Sequence, residues 1–403
     1  MDNKENLQMS EQLKLVKVEK QRKKALILRA GGIGDTVILT VVAKQLDKKG
    51  FDVDYFVGSP SGKVCELFEN LPYIKNCKEI KRVNGLDCVE DESKNLVCVE
   101  ILKTKYDEVF DFKNSVEHNR SGFNGEEGWR GTINSNYQNW IDLSLAWINV
   151  DWSKIHNQYK VPEISYKKQE EYTAWFEDCG IKPKEGRTHR VIGVQLTASS
   201  LVRTFYRASD LPDMIHKQYP DDVVLVFDRN TWFALTKFGR RQIEFDEDLN
   251  PLIQSVVLLK HMDLFICADS GFSHLAAAVD TPCISIYTSV PSWTRAKYYP
   301  KQISIDSADL ECRPCFTLDG FCPLERKNAH DSLTQRERDI IESAAKNENI
   351  YEVAKKYKTV PKAIMDEHQA AQAKLQALSA KMPACVASIT AEQIVEKVHE
   401  VLQ

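Results

Sequence analysis

Three short blocks of this chain join small residues to acids and cations where a strand runs into a helix, an arrangement suited to holding an anion. The first is RAGGIGDT, Arg29–Thr36. Its glycines, Gly32 and Gly34 among them, let backbone approach a ligand closely, and the helix that follows offers free N–H groups. The spacing is not GxGxxG, so a dinucleotide fingerprint is not supported. Asp35 is ambiguous on local features: it reads as a cap bonded to backbone amides or as a group with a chemical role. The second block, CADSGFSHLAAAVDTP, runs from an apolar strand into Asp269, Ser270 and Gly271 and then into a helix carrying His274. Small residues at such a turn make a phosphate site to which His274 adds a donor; a helix cap at Asp269 and a hydrogen-bonded core histidine are the plainer readings. The third, QLTASSLVRTFYR, sets Thr197, Ser199, Ser200, Arg203 and Arg207 after a strand. Arginine suits phosphate oxygens because its planar fork donates in pairs, although a bland surface loop accounts for this block equally well.

A fourth block is made of cysteines: Cys312, Cys315 and Cys322, with Cys385 far downstream. Thiolates at CxxC spacing can share one tetrahedral ion, and Cys322 beside Gly320 makes a knuckle plausible. Such a site would be structural. Cys65, Cys77, Cys88, Cys98, Cys179, Cys267 and Cys283 lack that clustering and read as scattered or core thiols. Eleven cysteines is an odd number for a disulfide framework. The N-terminus has no apolar signal core, so thiols in a reducing compartment are expected.

These blocks need a scaffold, and 403 residues with 43% hydrophobic content supply one. At roughly 100–200 residues per domain the length allows two or three domains. No stretch approaches the roughly 18 apolar residues of a membrane span, and a cytoplasmic protein is expected. With 54 Lys+Arg against 58 Asp+Glu the net charge is -4, a mild argument against a surface that grips nucleic acid everywhere. Residues 1–24 form a locally basic leader, read as a solvated tail. From Ala25 onward short apolar runs alternate with helical patterns: ALILR, a helix from Asp35 to Lys49, DVDYFV, a helix in GKVCELFEN, and YDEVFDF. A second series follows with VIGVQL, a helix around Asp210–Tyr219, DVVLVF, DLFICA and CISIY. Alternation of this kind signals parallel α/β sheets, and two such halves imply a ligand cleft at the carboxyl ends of their strands. The expected layout is a first Rossmann-like domain over 25–165 and a linker over 166–188. A second Rossmann-like domain over 189–326, a helical insertion over 327–380 and a closing segment over 381–403 complete it. The stretch 122–152, rich in Gly, Asn and Trp, reads as loops and short helices near the cleft.

The order of RAGGIGDTVILT, the strand-TASS-Arg-x-aromatic segment and DSGFSHLAAAVDTPCISIY closely resembles glycosyltransferase family 9, the heptosyltransferases of lipopolysaccharide cores. The resemblance covers roughly residues 25–325 and the C-terminal 20, and the DSG-x-x-HLAAA block is its most specific part. It implies an α/β GT-B fold, two Rossmann-like domains facing a cleft, with the acceptor on the first and a nucleotide-diphosphate sugar on the second. It assigns Asp35 as the general base on the acceptor hydroxyl and Arg203, where the family usually has Lys, as a diphosphate ligand. Thr197, Asp269, Ser270, Gly271 and His274 fall in the donor site. An inverting displacement then needs a base and positive charge for the departing diphosphate, with no catalytic divalent metal. Autotransporter-modifying members look similar in holding iron with four cysteines, which makes Cys385 the fourth ligand here; zinc fits the same thiolates. The assembly is open to oligomers.

One segment departs from that family. Between Cys322 and Cys385 a helix from about Gln335, a turn at Asn347–Asn349, a second helix through Tyr357 and a third from Val360 or Pro361 are expected. The run LTQRERDII followed by IYEVAKKYKTVPKAI looks like the helix-turn-helix of bacterial regulators, with Lys355, Lys356, Lys358 and Lys362 as a positive edge. A helical hairpin for packing or oligomerisation is the alternative. Residues 335–370 are thus a candidate DNA contact. The leading acceptor is a saccharide such as a lipopolysaccharide core. Hydroxymethylated cytosine in DNA is the second, modified by a phage-type enzyme with a sugar such as arabinose, since base flipping would bring it to the cleft. A protein acceptor, or a non-catalytic DNA-binding module on the same scaffold, completes the set.

Overall fold

A computed structural model describes residues 22–59, 62–113, 139–198, 202–205, 208–228, 231–310, 313, 322, 328, 331–345, 348–379 and 383–403. The expectations for the leader up to residue 21, for loops over 122–138, and for Ser199, Ser200, Arg207, Cys312, Cys315 and Asn347 lie outside these residues. Among the described residues no helix is long and apolar enough to cross a membrane.

The first half is built on β1 (Lys23–Ala30), β2 (Phe51–Gly58), β3 (Asn76–Glu79) and, after a side sheet, β7 (Glu108–Asp111). They pair in the order β3-β2-β1-β7, all parallel. The side sheet is antiparallel and consists of β4 (Lys81–Val83), β5 (Leu86–Glu90) and β6 (Leu96–Cys98). Ala25 to Leu28 are fully buried because β1 is central and covered on both faces, which is why that run shows no alternation. Helices α1 (Ile33–Ile38), α2 (Thr40–Lys48), α3 (Val99–Lys103) and α4 (Trp140–Trp147) complete this half. The helix expected from Asp35 to Lys49 is divided at Leu39, and the one expected in GKVCELFEN is a short 3-10 turn, Val64–Phe68.

The second half adds α5 (Gln169–Asp178), α6 (Leu211–Gln218), α7 (Pro251–Lys260) and α8 (Gly271–Ala278). Its strands are β8 (Val191–Gln195), β9 (Val223–Asp228), β10 (Thr231–Thr236), β11 (Gly239–Ile243), β12 (Leu264–Ala268), β13 (Cys283–Tyr287) and β14 (Gln302–Asp306). The sheet order is β11-β10-β9-β8-β12-β13-β14, with β10 and β11 antiparallel extensions of a parallel core. All positions of β8, β12 and β13 are buried, so these strands sit between helical layers. Asn250 starts α7, its side chain accepting from Leu252 N at 2.9 Å with Pro251 at the first helical position.

Beyond β14 lie α9 (Gln335–Ala345), α10 (Ile350–Lys356), α11 (Pro361–Ser379), α12 (Ala384–Ala387) and α13 (Ala391–Leu402). Helices α9 to α11 pack on a small core of their own, Ile340, Val353, Ala354 and Ile364. By contrast, Val386, Ile394 and Val398 of α12 and α13 share a core with β8 and β12. A reciprocal capping box of Thr390 and Gln393 starts α13.

A buried ionic cluster ties the halves. The Tyr298 hydroxyl donates to Asp142 of α4 at 2.6 Å, while Lys160 Nζ lies 3.3 Å from Asp142 Oδ1 and 3.0 Å from the Tyr298 oxygen. Burial, then the bond to Asp142, pushes the Tyr298 phenol well above its ordinary value, so it remains a donor. Lys297 approaches the same carboxylate at 3.3 Å. Asp142→Ala will leave the buried Lys160 ammonium without its counter-charge and lower stability by about 3–5 kcal/mol. Urea unfolding measures this, and a loss under about 1 kcal/mol would show that the cluster does not hold the halves together.

Candidate active site

Strand β1 ends in the middle of its sheet, and Gly31 and Gly32 turn the chain into α1. Gly31 has φ +146°, and a Cβ there would meet Arg29 Nη2 at 2.8 Å and Asp35 Oδ2 at 3.0 Å. Only glycine leaves that space to the ion pair beneath it. Gly32 is the residue preceding α1, and Asp35 lies in the first turn rather than at the cap, so the capping reading of Asp35 is set aside. Instead Asp35 accepts from the guanidinium of Arg29, which is 1% exposed. The same guanidinium donates to the carbonyl of Phe112 at 2.6 Å and lies 5.5 Å from the centre of the Trp140 ring. It therefore pins one carboxylate oxygen of a side chain that is itself 20% exposed toward the cleft.

On the other side β12 delivers Asp269, Ser270 and Gly271 to the start of α8. Ser270, not Asp269, caps the helix: its Oγ accepts from Phe272 N at 3.3 Å and donates to Gln195 Oε1 at 2.9 Å. Gln195, at the end of β8, in turn donates to Thr197 Oγ1 at 3.2 Å. Asp269 is buried, its Oδ2 has no hydrogen-bond partner among the described residues, and Arg203 Nη1 stands 4.0 Å away. His274 is buried too, with Nδ1 2.6 Å from the Tyr299 hydroxyl. Burial pushes that phenol above its ordinary value, so Tyr299 stays a neutral hydroxyl against Nδ1 and holds the ring in place. His274 is thus a bonded, buried histidine, and it also borders the cleft.

The two turns meet. A Cβ on Gly34 would lie 2.5 Å from His274 Cδ2 and 3.1 Å from Gly271 Cα, and one on Gly271 would lie 3.0 Å from Gly34 N. Around this contact opens a cleft of about 800 Å³, within the range of small-molecule sites. Arg29, Asp35, Arg203, Asp269, His274 and Arg295 line it, together with the apolar Phe227, Phe245, Pro251, Leu252 and Phe272. Such a cavity offers apolar surface to a flat ring and cationic side chains to an anion. Gly32, Gly34, Thr197, Arg203, Asp269, Ser270, Gly271, His274 and Asp35, singled out from the sequence, all border it.

Sequence reasoning passed over Arg29, Trp140, Arg295, Gln195 and Tyr299. A charged residue closing an apolar strand could have marked Arg29. Arg295 is 4% exposed and lies over the Trp140 ring at 4.8 Å, a pairing with no local sequence signal. Of the cysteines, Cys322 is half-buried and Cys385 is buried on α12 among Val386, Ile389 and Ile394. Among the described residues no group of three metal-ligating side chains comes together, and Cys312 and Cys315 are not among them.

Residues 250–322, which include the Asp269–His274 turn, match the family model of glycosyltransferase family 9 (heptosyltransferase). A family 9 glycosyl transferase from Veillonella parvula DSM 2008 superposes with a TM-score of 0.53 at 12% identity, over 94% of this chain and 97% of its own. The ADP-heptose lipopolysaccharide heptosyltransferase II of E. coli gives 0.47 at 14% identity, over 72% and 92%. TibC, an iron-containing dodecameric glycosyltransferase of enterotoxigenic E. coli H10407, gives 0.47 at 13%, over 74% and 66%. No curated protein sequence matches the chain. The fold is GT-B, and the likeness is to heptosyltransferase-like family 9 glycosyltransferases, which supports a glycosyltransferase.

Gly34→Ala will force His274 and Gly271 away and cost about 1–3 kcal/mol at the contact. Amide hydrogen exchange should quicken in Ile33–Ile38 and Gly271–Ala278 with α13 unchanged; unaltered exchange in both would mean that the turns do not depend on each other.

Proposed function

We propose that this chain moves a sugar from a nucleotide-diphosphate sugar to a hydroxyl of a saccharide acceptor such as a lipopolysaccharide core, with inversion at the anomeric carbon. The observation that carries the reading is the meeting of Asp35 with the Ser270–His274 turn in one cleft. The apolar surface of Phe227 and Leu252 suits a nucleobase. Arg203, the His274 ring and the N-terminus of α8 suit the diphosphate. As the acceptor oxygen bonds to the anomeric carbon, its proton passes to Asp35, and the bond to the diphosphate breaks with its electron pair leaving on phosphate oxygen. Positive charge at Arg203 and α8 then stabilises the leaving group, and no divalent metal is required. Arg29 holds Asp35 Oδ2 and so fixes the carboxylate at the edge of the cleft.

Two other acceptors follow from single features. The helices over 335–370 favour DNA carrying hydroxymethylated cytosine, with a sugar such as arabinose; the cysteines favour a protein acceptor. A non-catalytic scaffold has no use for a carboxylate facing a diphosphate site. Intact-mass analysis after incubation with ADP-heptose and each acceptor separates these readings, and mass gained on the saccharide alone is the expected result. Asp35→Ala should lower turnover by about 10²–10⁴ while ADP-heptose binding, followed by calorimetry, stays nearly intact; undiminished turnover removes Asp35 as the base.

The four cysteines are a separate proposal. Cys312, Cys315, Cys322 and Cys385 would give four thiolates to one structural iron or zinc. Elemental analysis of chain purified without chelator should find about one equivalent of iron or zinc, as a four-thiolate site holds one ion; finding neither rules the site out.

A further inference from the structure

The three-helix segment α9 to α11 stands on its own core, and among the described residues none of it lines the cleft. Its layout is that of a helix-turn-helix. Helix α10 ends in a turn in which Lys358 takes φ 50° and Thr359 N reaches Ala354 O at 3.0 Å. Helix α11 then begins at Pro361, with Ala363 N bonded back to Val360 O at 3.0 Å. Four residues therefore separate α10 from the long third helix, within the turn length of a helix-turn-helix.

Charge decides what this surface fits. Three of its seven acids are turned to internal partners. Glu367 takes two bonds from Arg336 at 2.7 and 2.8 Å, Glu337 pairs with Lys374 at 3.1 Å, and Asp339 accepts from the Tyr357 hydroxyl at 2.6 Å. Lys355, Lys358 and Lys362 are exposed and have no ion-pair partner among the described residues. From Lys355 to Lys362 there are four lysines and no acid. Along α11, Lys362, Asp366 and Gln369 recur at helical spacing and are all exposed. Gln suits adenine and Asp the amino group of cytosine, while the exposed Val360 and Met365 suit a thymine methyl.

We propose that α10, its turn and α11 form a face that binds duplex DNA, with Lys355, Lys358 and Lys362 on phosphates and the exposed side of α11 in the major groove. This does not depend on the transferase reading. The test is fluorescence anisotropy of the full chain with a labelled mixed-sequence duplex, beside the variant K355E/K358E/K362E. Three phosphate contacts give a log–log salt slope of about −2.7, so binding should weaken roughly 40-fold between about 50 and 200 mM KCl. The variant, with an unchanged melting temperature, should bind at least tenfold more weakly and with a shallower slope. Absence of duplex binding at the lower salt overturns the proposal. So does a variant that binds as the parent does, which would put the contact on the basic leader, or equal binding of single strands. Self-association through Tyr351 and Met365 in place of DNA binding would make the face a protein contact and overturns it too.

Discussion

Two glycines in contact set the geometry on which the rest of the cleft depends. Gly34 and Gly271 each stand where a methyl would come within about 3 Å of the other's backbone. Each opens or sits within the first turn of a helix that follows a central parallel strand. Parallel sheets place such turns at the carboxyl ends of their strands, and two sheets facing one another bring two turns together. The absence of side chains at this point lets the turns abut and sets Gly34, next to Asp35 in the chain, against His274. Two positive helix ends meeting there favour an anion alongside them.

The charges of the cleft are organised around that contact. A buried guanidinium at Arg29 would be costly alone, and Asp35, the Phe112 carbonyl and the Trp140 face together compensate it. On the opposite wall Asp269 lies beside Arg203, while Tyr299 fixes the orientation of His274. Trp140 links the walls, since Arg29 of the first half and Arg295 of the second both lie over its ring. Asp142, Lys160 and Tyr298 join the halves by a second route.

Much of this was legible in the sequence where local chemistry dictates local structure. The apolar runs at Ala25, Val191, Leu264 and Cys283 are strands because they are buried on both faces, and the small-residue turns after two of them carry Asp35 and Asp269. The three helices of the insertion also follow from periodicity and from the turn at Lys358. What escaped depends on pairings across the chain. The edge strand β11 and strand β4 of the side sheet are almost wholly exposed, so they lack the apolar signature of the central strands. Asp35 and Asp269 as caps were reasonable locally and fail because Gly32 and Ser270 occupy those positions. Arg29 was in view within the glycine block, but its role appears only when Phe112 and Trp140 close over it.

The central claim is that one cleft holds a nucleotide-diphosphate sugar between the Ser270–His274 turn and Asp35. A crystal structure with ADP-heptose tests it most directly. The account requires the diphosphate against the start of α8 and Arg203, the base against the apolar Phe227, and the anomeric carbon open to Asp35. A nucleotide bound elsewhere, or a sugar turned away from Asp35 with the diphosphate out of reach of α8, would contradict it.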